Sequence, residues 1–410
     1  MGGNLLAVTA QNDADGIGAV YVFHRDGPLW IEEAKLVPFD GVDNAGFGYA
    51  LAIGGDDLFV GSINDQEHGS VYVFHRNRGE WNLVTKLAPA DVQTNDGLGS
   101  SVAARPGLVA IGSPANDARG INAGAAYVFE WNGAAWIEAQ KLVASDALSG
   151  DIFGAAIALS GDALVLDAYG ADPRGVESGA AYVFRQQSST WIEEAKLVPT
   201  DGAAGDSFGF PVAVHSDVIA VGAVSADDNG ISSGAAYAFR RVDSRWVEEQ
   251  KLLASDGAMN DVFGNAVAVS SDAIVVGSPF DTNENGKYAG SAYVFRSIAG
   301  AWVEDRKLTS ADGVPGQGLG VSLGMEGNAL VVGAPYDPAK GTGAGAAYAY
   351  DLGVACTASD INRDGHVNAA DLSILLGFWG SCSGACLGDI DGDGIVDAAD
   401  LAILLGNWTG

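Results

Sequence analysis

Up to about residue 352, short runs of apolar residues alternate with clusters of Gly, Asp, Asn and Ser. Side chains within a run alternate in the period of a strand, and the runs end at turn residues. One run recurs as Tyr-Val-Phe or a close relative, at Tyr21, Tyr72, Tyr127, Tyr182, Tyr237, Tyr293 and Tyr348, with intervals of 51, 55, 55, 55, 56 and 55 residues. A fixed interval of this size marks stacked copies of one supersecondary unit. Each copy opens on a strand such as Phe153-Gly154-Ala155-Ala156-Ile157-Ala158 and continues with one such as Ala329-Leu330-Val331-Val332-Gly333-Ala334-Pro335. A polar loop carrying an Asp leads into the Tyr strand. The copy closes on a Trp strand ending in Lys-Leu, such as Trp191 to Leu197.

Four short strands per repeat, stacked around a ring, predict a seven-bladed β-propeller. The first unit lacks its Phe-Gly strand and the last stops after Tyr348-Ala349-Tyr350 without a Trp strand, which leaves 26 strands. The two aromatics of Tyr-Val-Phe share a face, with Val on the other, so they are expected in the core between blades. Trp131 stands outside the pattern and is expected to be exposed. The lysines before Leu are expected on a solvated face or paired with a nearby Asp. Asp40, Asp91, Asp146, Asp201, Asp256 and Asp312 follow Lys-Leu in successive units, and recurrence in each points to a structural turn. Asp167 is singular, because five of the seven units have Gly there; it is the propeller's functional candidate.

The pattern changes at Gly353. A linker, 353–359, carries Cys356, and a second repeat follows over 360–410 with a period of 29 residues. Each copy is a 12-residue acidic loop leading into an apolar helix pattern. Leu372, Leu375, Leu376 and Trp379 match Leu401, Leu404, Leu405 and Trp408 as one helix stripe. Calcium takes six to eight hard oxygens, which a loop of this kind supplies from positions 1, 3, 5, 7, 9 and 12. In the first loop these are Asp360, Asn362, Asp364, the His366 carbonyl, Asn368 and Asp371. In the second they are Asp389, Asp391, Asp393, the Ile395 carbonyl, Asp397 and Asp400. Gly365 and Gly394 fall at the sharp turn, and Val367 and Val396 at position 8 are expected to pair the loops. Two loops in register make calcium the expected cofactor.

The Phe-Gly openings and the Gly-Ala-Pro or Gly-Ser-Pro endings, as at Gly333-Ala334-Pro335 and Gly277-Ser278-Pro279, resemble FG-GAP repeats of the integrin-α type over residues 1–352. That resemblance implies an extracellular binding propeller without catalysis. The tail, from about residue 356 to 410, resembles a type I dockerin, because both loops close on Asp and no helix precedes either. This implies docking to a cohesin-like scaffold protein. Positions 10 and 11, often Ser-Thr in cellulosomal dockerins, are Ala369-Ala370 and Ala398-Ala399 here, a departure that argues against a clostridial-type cohesin and leaves open one with a more apolar surface.

Composition narrows the partners. The net charge of −31 opposes binding to nucleic acid or anionic lipid. No apolar run reaches the ~18 residues of a membrane span, so no membrane insertion is expected. The three cysteines, Cys356, Cys382 and Cys386, all lie in the tail, and the odd count leaves their pairing open.

Other chemistry is weaker. Asp281-x-Asn283-x-Asn285-Gly286 comes nearest to a propeller calcium loop, with Asp13-x-Asp15-Gly16 and Asp227-Asp228-Asn229-Gly230 behind it; hairpin-capping turns are the simpler reading. Gly320-Val321-Ser322-Leu323-Gly324 has the hydrolase-elbow pattern, but Ser322 falls in a strand position with no helix after it. His24, His68, His75, His215 and His366 are scattered, and no catalytic residue is assigned. The expectation is a non-enzymatic, extracellular or surface-displayed platform for protein or glycan, tethered by its tail. The alternative is a carbohydrate-active component of a polysaccharide-degrading assembly. The two missing strands and an export signal are expected upstream of Met1.

Overall fold

The computed structural model describes residues 1–13, 17–27, 29–40, 45–298, 300–341, 343–353, 359, 361, 367–381, 388–390 and 395–408. The repeats form seven antiparallel sheets, the blades of a propeller, with strands paired in chain order. The fourth blade is representative: Ile157–Ser160, Ala163–Ala168, Ala180–Gln187 and Thr190–Leu197. Blades two to six have four strands. The first has three (Leu5–Ala10, Ala19–Asp26, Leu29–Leu36), as does the seventh (Ser322–Glu326, Ala329–Ala334, Ala346–Asp351). First strands of neighbouring blades lie against one another and fourth strands face outward.

The core lies between blades. Leu108, Ala126 and Val128 of the third blade pack with Phe153, Leu164, Tyr182, Phe184 and Trp191 of the fourth. Val165 and Val183, on the opposite face of the fourth blade, pack with Phe208, Tyr237 and Phe239 of the fifth. Alternation along Tyr-Val-Phe thus sends the aromatics toward one neighbour and Val toward the other. Phe208 meets the Tyr237 ring edge-on at 5.4 Å. Trp131 is 42 % exposed, outside this core.

Glycines at up to two places in a blade allow the close approach. Gly179, with φ near +83°, bridges to Phe208 of the next blade, and a Cβ there would run into the Phe208 carbonyl. A Cβ on Gly112 would meet the Gly154 carbonyl in the same way, and Gly61, Gly222 and Gly277 repeat that contact. The first and fourth blades carry Thr9 and Asp167 there instead. In the blades that follow them the first strands, Phe47–Gly54 and Phe208–His215, run eight residues with a register break after the Phe. Elsewhere the first strand has four or five. A side chain in place of Gly therefore coincides with another path for the neighbouring strand.

The third and fourth strands share a bulge in each complete blade. In the fourth blade Val183 pairs with Ala195 and Phe184 with Glu193, so Glu194 is the extra residue. Glu33 and Glu249 hold the same place.

In the tail, helices α1 (Ala369–Gly377) and α2 (Ala398–Gly406) each begin at a capping box. Leu375, Leu404, Val367, Val396 and Ile361 form a small core. Leu376 and Trp379 of the expected stripe are exposed, as are Leu405 and Trp408, because two nine-residue helices cannot cover apolar residues on several faces. Val396 pairs with Gly380 in a two-residue ladder (Gly380–Ser381 with Ile395–Val396), and its side chain shares the core with Val367. No helix among the described residues is long and apolar enough to cross a membrane.

Candidate functional site

The turns between first and second strands are tight, such as Gly161-Asp162. The connections from second to third strand and from fourth strand to the next blade are long and emerge together at the opposite end of the sheets. That face carries the exposed aromatics. Phe280 and Tyr336, with the half-buried Tyr169, follow second strands, while Tyr49 and Phe210 are the third residues of the two long first strands. Tyr169 packs on Phe210 at 5.7 Å and Phe280 on Tyr288 at 5.9 Å. Ile121, Leu148, Val176, Ile231 and Met259 are exposed on loops of the same face. Apolar surface gathered this way on a rigid ring suits ligand contact.

The recurrent aspartates sit at the blade boundaries beneath it. Tyr182 Oη donates to Asp146 Oδ1 at 2.6 Å, and Lys196 Nζ lies 2.7 Å from Oδ2. The same triad joins Tyr72, Lys86 and Asp40; Tyr127, Lys141 and Asp91; Tyr237, Lys251 and Asp201; and Tyr293, Lys307 and Asp256. Burial alone would raise the five carboxyls, but the bonds from Lys and Tyr outweigh it and hold each below the usual range. Burial, then Asp40, pushes the Tyr72 phenol up to about 12. These aspartates are joints of the ring, as their recurrence implied.

Asp167 is wholly buried. Its Oδ1 accepts from the Ala156 amide at 2.7 Å, while Oδ2 has no partner. Burial pushes this carboxyl well above the carboxylate range, against the backbone amides around it. Asp281 accepts from Ser291 at 2.6 Å and pairs with Lys307, and Asn283 caps the Asn285 amide at 2.8 Å. Asp227 caps the Ser232 amide at 2.8 Å, and Asp228 pairs with Lys251. These loops close as turns. Asp13 pairs with Tyr21 and Lys35, and Asp15 lies outside the described residues. Ser322 opens a strand paired to Gly333, not an elbow.

The bulge glutamates are a feature the sequence reading missed. Glu33 accepts from Arg76 Nε and Nη2, each at 2.6 Å, and from the Trp81 indole at 3.0 Å, all in the next blade. Glu194 does the same for Arg241 and Trp246, at 2.5 and 3.0 Å, and Glu249 takes the Trp302 indole at 2.8 Å. The signal was present: a Glu three residues after Trp in three of the six Trp strands. Ala139 holds that place in the third blade, and the Trp191 indole facing it is buried without a partner.

In the tail, Asp371 and Asp400 are wholly buried. Asp400 accepts from the Ile390 amide at 2.6 Å and the Asp397 amide at 2.8 Å, and Asp371 from the Asn368 amide at 3.0 Å. Asn368 and Asp397 are the helix N-caps. Asp389 is half-buried and Ile395 exposed. Asp360, Asn362, Asp364, His366, Asp391 and Asp393 lie outside the described residues, as do the three cysteines. No group of three His, Cys, Asp or Glu able to hold a metal is gathered among the described residues.

A ring of seven four-stranded repeats, two of them short, with its long loops on one face, defines a propeller of the binding-platform class. The FG-GAP repeat profile matches residues 30–74, 81–129, 136–184, 191–239, 246–295 and 302–350, and the chain belongs to the FG-GAP repeat family. Each matched unit runs from a Trp strand to the Tyr strand of the next blade, so the sequence repeat is offset from the blade by one strand. No curated protein matches the chain.

Proposed function

We propose that this protein is a non-catalytic extracellular platform whose propeller binds a glycan or protein on its long-loop face. Its tail folds around two calcium ions and tethers it to a cohesin-type scaffold. The observation that carries the tail's role is the matched burial of Asp371 and Asp400. A buried carboxylate needs a compensating charge or several donors. Asp371 and Asp400 both stand at position 12 of their loops, the place of the closing carboxylate of a calcium loop. The donor set fits calcium: Asp and Asn side chains plus the His366 and Ile395 carbonyls, all hard oxygens. The first ion would be held by Asp360, Asn362, Asp364, His366, Asn368 and Asp371. The second would be held by Asp389, Asp391, Asp393, Ile395, Asp397 and Asp400. Bound calcium supplies charge neutralisation and ties each loop to the helix after it.

Leu376, Phe378, Trp379, Leu405 and Trp408 give the tail an exposed apolar surface, and Ala369, Ala370, Ala398 and Ala399 are exposed beside it. This supports a partner with an apolar face. On the propeller, Tyr169, Phe210, Phe280 and Tyr288 offer flat apolar faces to a sugar ring or an aromatic-seeking peptide. The test is circular dichroism of residues 353–410. Helical signal rises when calcium replaces EDTA, and Asp360→Ala with Asp389→Ala abolishes the rise. A spectrum indifferent to calcium refutes the reading. Capture from culture supernatant by the same segment, with and without chelator, then identifies the scaffold.

A further inference from the structure

The boundary between the fourth and fifth blades departs from the repeat at three places that meet in space. Asp167 stands where five blades have Gly, and Tyr169 where three have Pro (Pro114, Pro279 and Pro335). Phe210 stands where the third, fourth, sixth and seventh blades have Ser100, Ala155, Asn265 and Val321. Tyr169 rests on Phe210 at 5.7 Å with the ring planes 62° apart, at the long-loop end of the first strands. A Cβ at the matching Gly112 or Gly277 meets the first strand of the next blade, so Asp167 faces the strand that carries Phe210. Burial, then Asp167, Tyr49 and Glu177, raises the Tyr169 phenol, which places Tyr49 of the second blade and Glu177 near the pair. The other blades close without these residues, and the wholly buried Asp167, with Oδ2 unpartnered, costs stability where it is charged. Local rules broken at a cost, together and at one boundary, mark a functional place.

We propose that Tyr169 and Phe210, with Tyr49 near them, are a subsite for a neutral polysaccharide, the rings stacking on the C–H faces of its pyranose units. This deepens the platform reading above and rests on it. A protein hot spot is a desolvated pocket that encloses one side chain. Here the rings stand open, Phe210 being 38 % exposed and Tyr49 49 %. Open flat faces match the apolar face of a sugar ring. Sugar hydroxyls donate hydrogen bonds, and the groups around the rings accept them: the two phenols and the Glu177 carboxylate, exposed on the loop after the second strand. The net charge of −31 sets the sign of the ligand, because it opposes a polyanion and leaves a neutral chain unopposed.

The test is affinity gel electrophoresis of the full chain through hydroxyethyl cellulose, galactomannan, arabinoxylan and laminarin, with polygalacturonate as the anionic control. Retardation by at least one neutral polymer is expected, and none by polygalacturonate. Phe210→Asn and Tyr49→Ser, which copy the residues of the sixth and third blades, are each expected to raise Kd roughly tenfold. Phe280→Ala, on the same face, leaves Kd unchanged. Circular dichroism and the melt verify the fold of each variant, and Tyr49→Ser alone decides if Phe210→Asn does not fold. No retardation by any neutral polymer, retardation by polygalacturonate, or binding indifferent to the folded variants overturns the subsite. Glycan binding lost with Phe280→Ala instead, or a protein ligand captured from culture supernatant with no glycan bound, overturns the subsite and leaves the platform reading standing. A propeller that takes neither glycan nor protein removes both.

Discussion

Tyr182 donates its phenolic proton to Asp146 at 2.6 Å, and the two belong to different blades. Asp146 leaves the outer strand of the third blade, whereas Tyr182 and Lys196 lie on neighbouring strands of the fourth. One carboxylate thus ties two sheets together through a neutral and a cationic donor, and the arrangement recurs around the ring. Replacing Tyr182 with Phe is expected to cost about 1 kcal/mol. The double variant with Asp146→Ala should lose less than the sum of the singles, because the partners act as a unit. Urea melts of the four proteins measure this, and strict additivity would show that the bond is dispensable.

Ala139→Gln is expected to stabilise the propeller. It places an acceptor at the bulge position that Glu occupies in three blades, opposite the partnerless Trp191 indole. Satisfying a buried donor is worth about 0.5–1.5 kcal/mol, and Gln adds no charge to an acidic surface. A rise in melting temperature, absent when Trp191 is also replaced by Phe, checks it. An equal rise in both backgrounds would assign the gain elsewhere.

Stability should peak on the acid side of neutrality. Asp40, Asp91, Asp146, Asp201 and Asp256 are lowered in the folded state; their contribution is present above the unfolded Asp value of about 3.9 and lost as pH falls through the folded values. Asp151, Asp206 and Asp261 are raised by burial, so their contribution is present below about 3.9 and lost as pH rises. The two groups together place the maximum at roughly pH 4–5. Calcium-free melts from pH 3 to 8 test this, and a maximum at pH 7 or above would refute it.

Asp167→Asn isolates one part of that profile. The raised Asp167 carboxyl costs stability as pH rises above the unfolded value. The variant should match the parent near pH 4 and exceed it at pH 7, as chemical denaturation would show. A variant weaker than the parent at pH 7 would mean that the charged form is the one the fold needs.

Most of the propeller could be read from the chain because each strand repeats at a nearly constant interval. The missing Phe-Gly strand before Leu5 and the missing Trp strand after Tyr350 followed from that repeat and appear as the two three-stranded blades. What could not be read are relations between blades. The partners of Asp146 are 36 and 50 residues away, and no local pattern joins them. The altered path of Phe208–His215 coincides with Asp167 in another sheet. In the tail, the capping boxes were written in the loops, whereas Val396 pairs with Gly380 because the ladder depends on the connection between the helices.

The most direct test of the account is a calcium titration of the full chain by calorimetry. Two ions per chain are expected, falling to none in the tail when Asp360→Ala and Asp389→Ala are combined, while the melt of the propeller stays unchanged. A full chain that binds no calcium, or whose binding survives both substitutions undiminished, would contradict a calcium-folded tether.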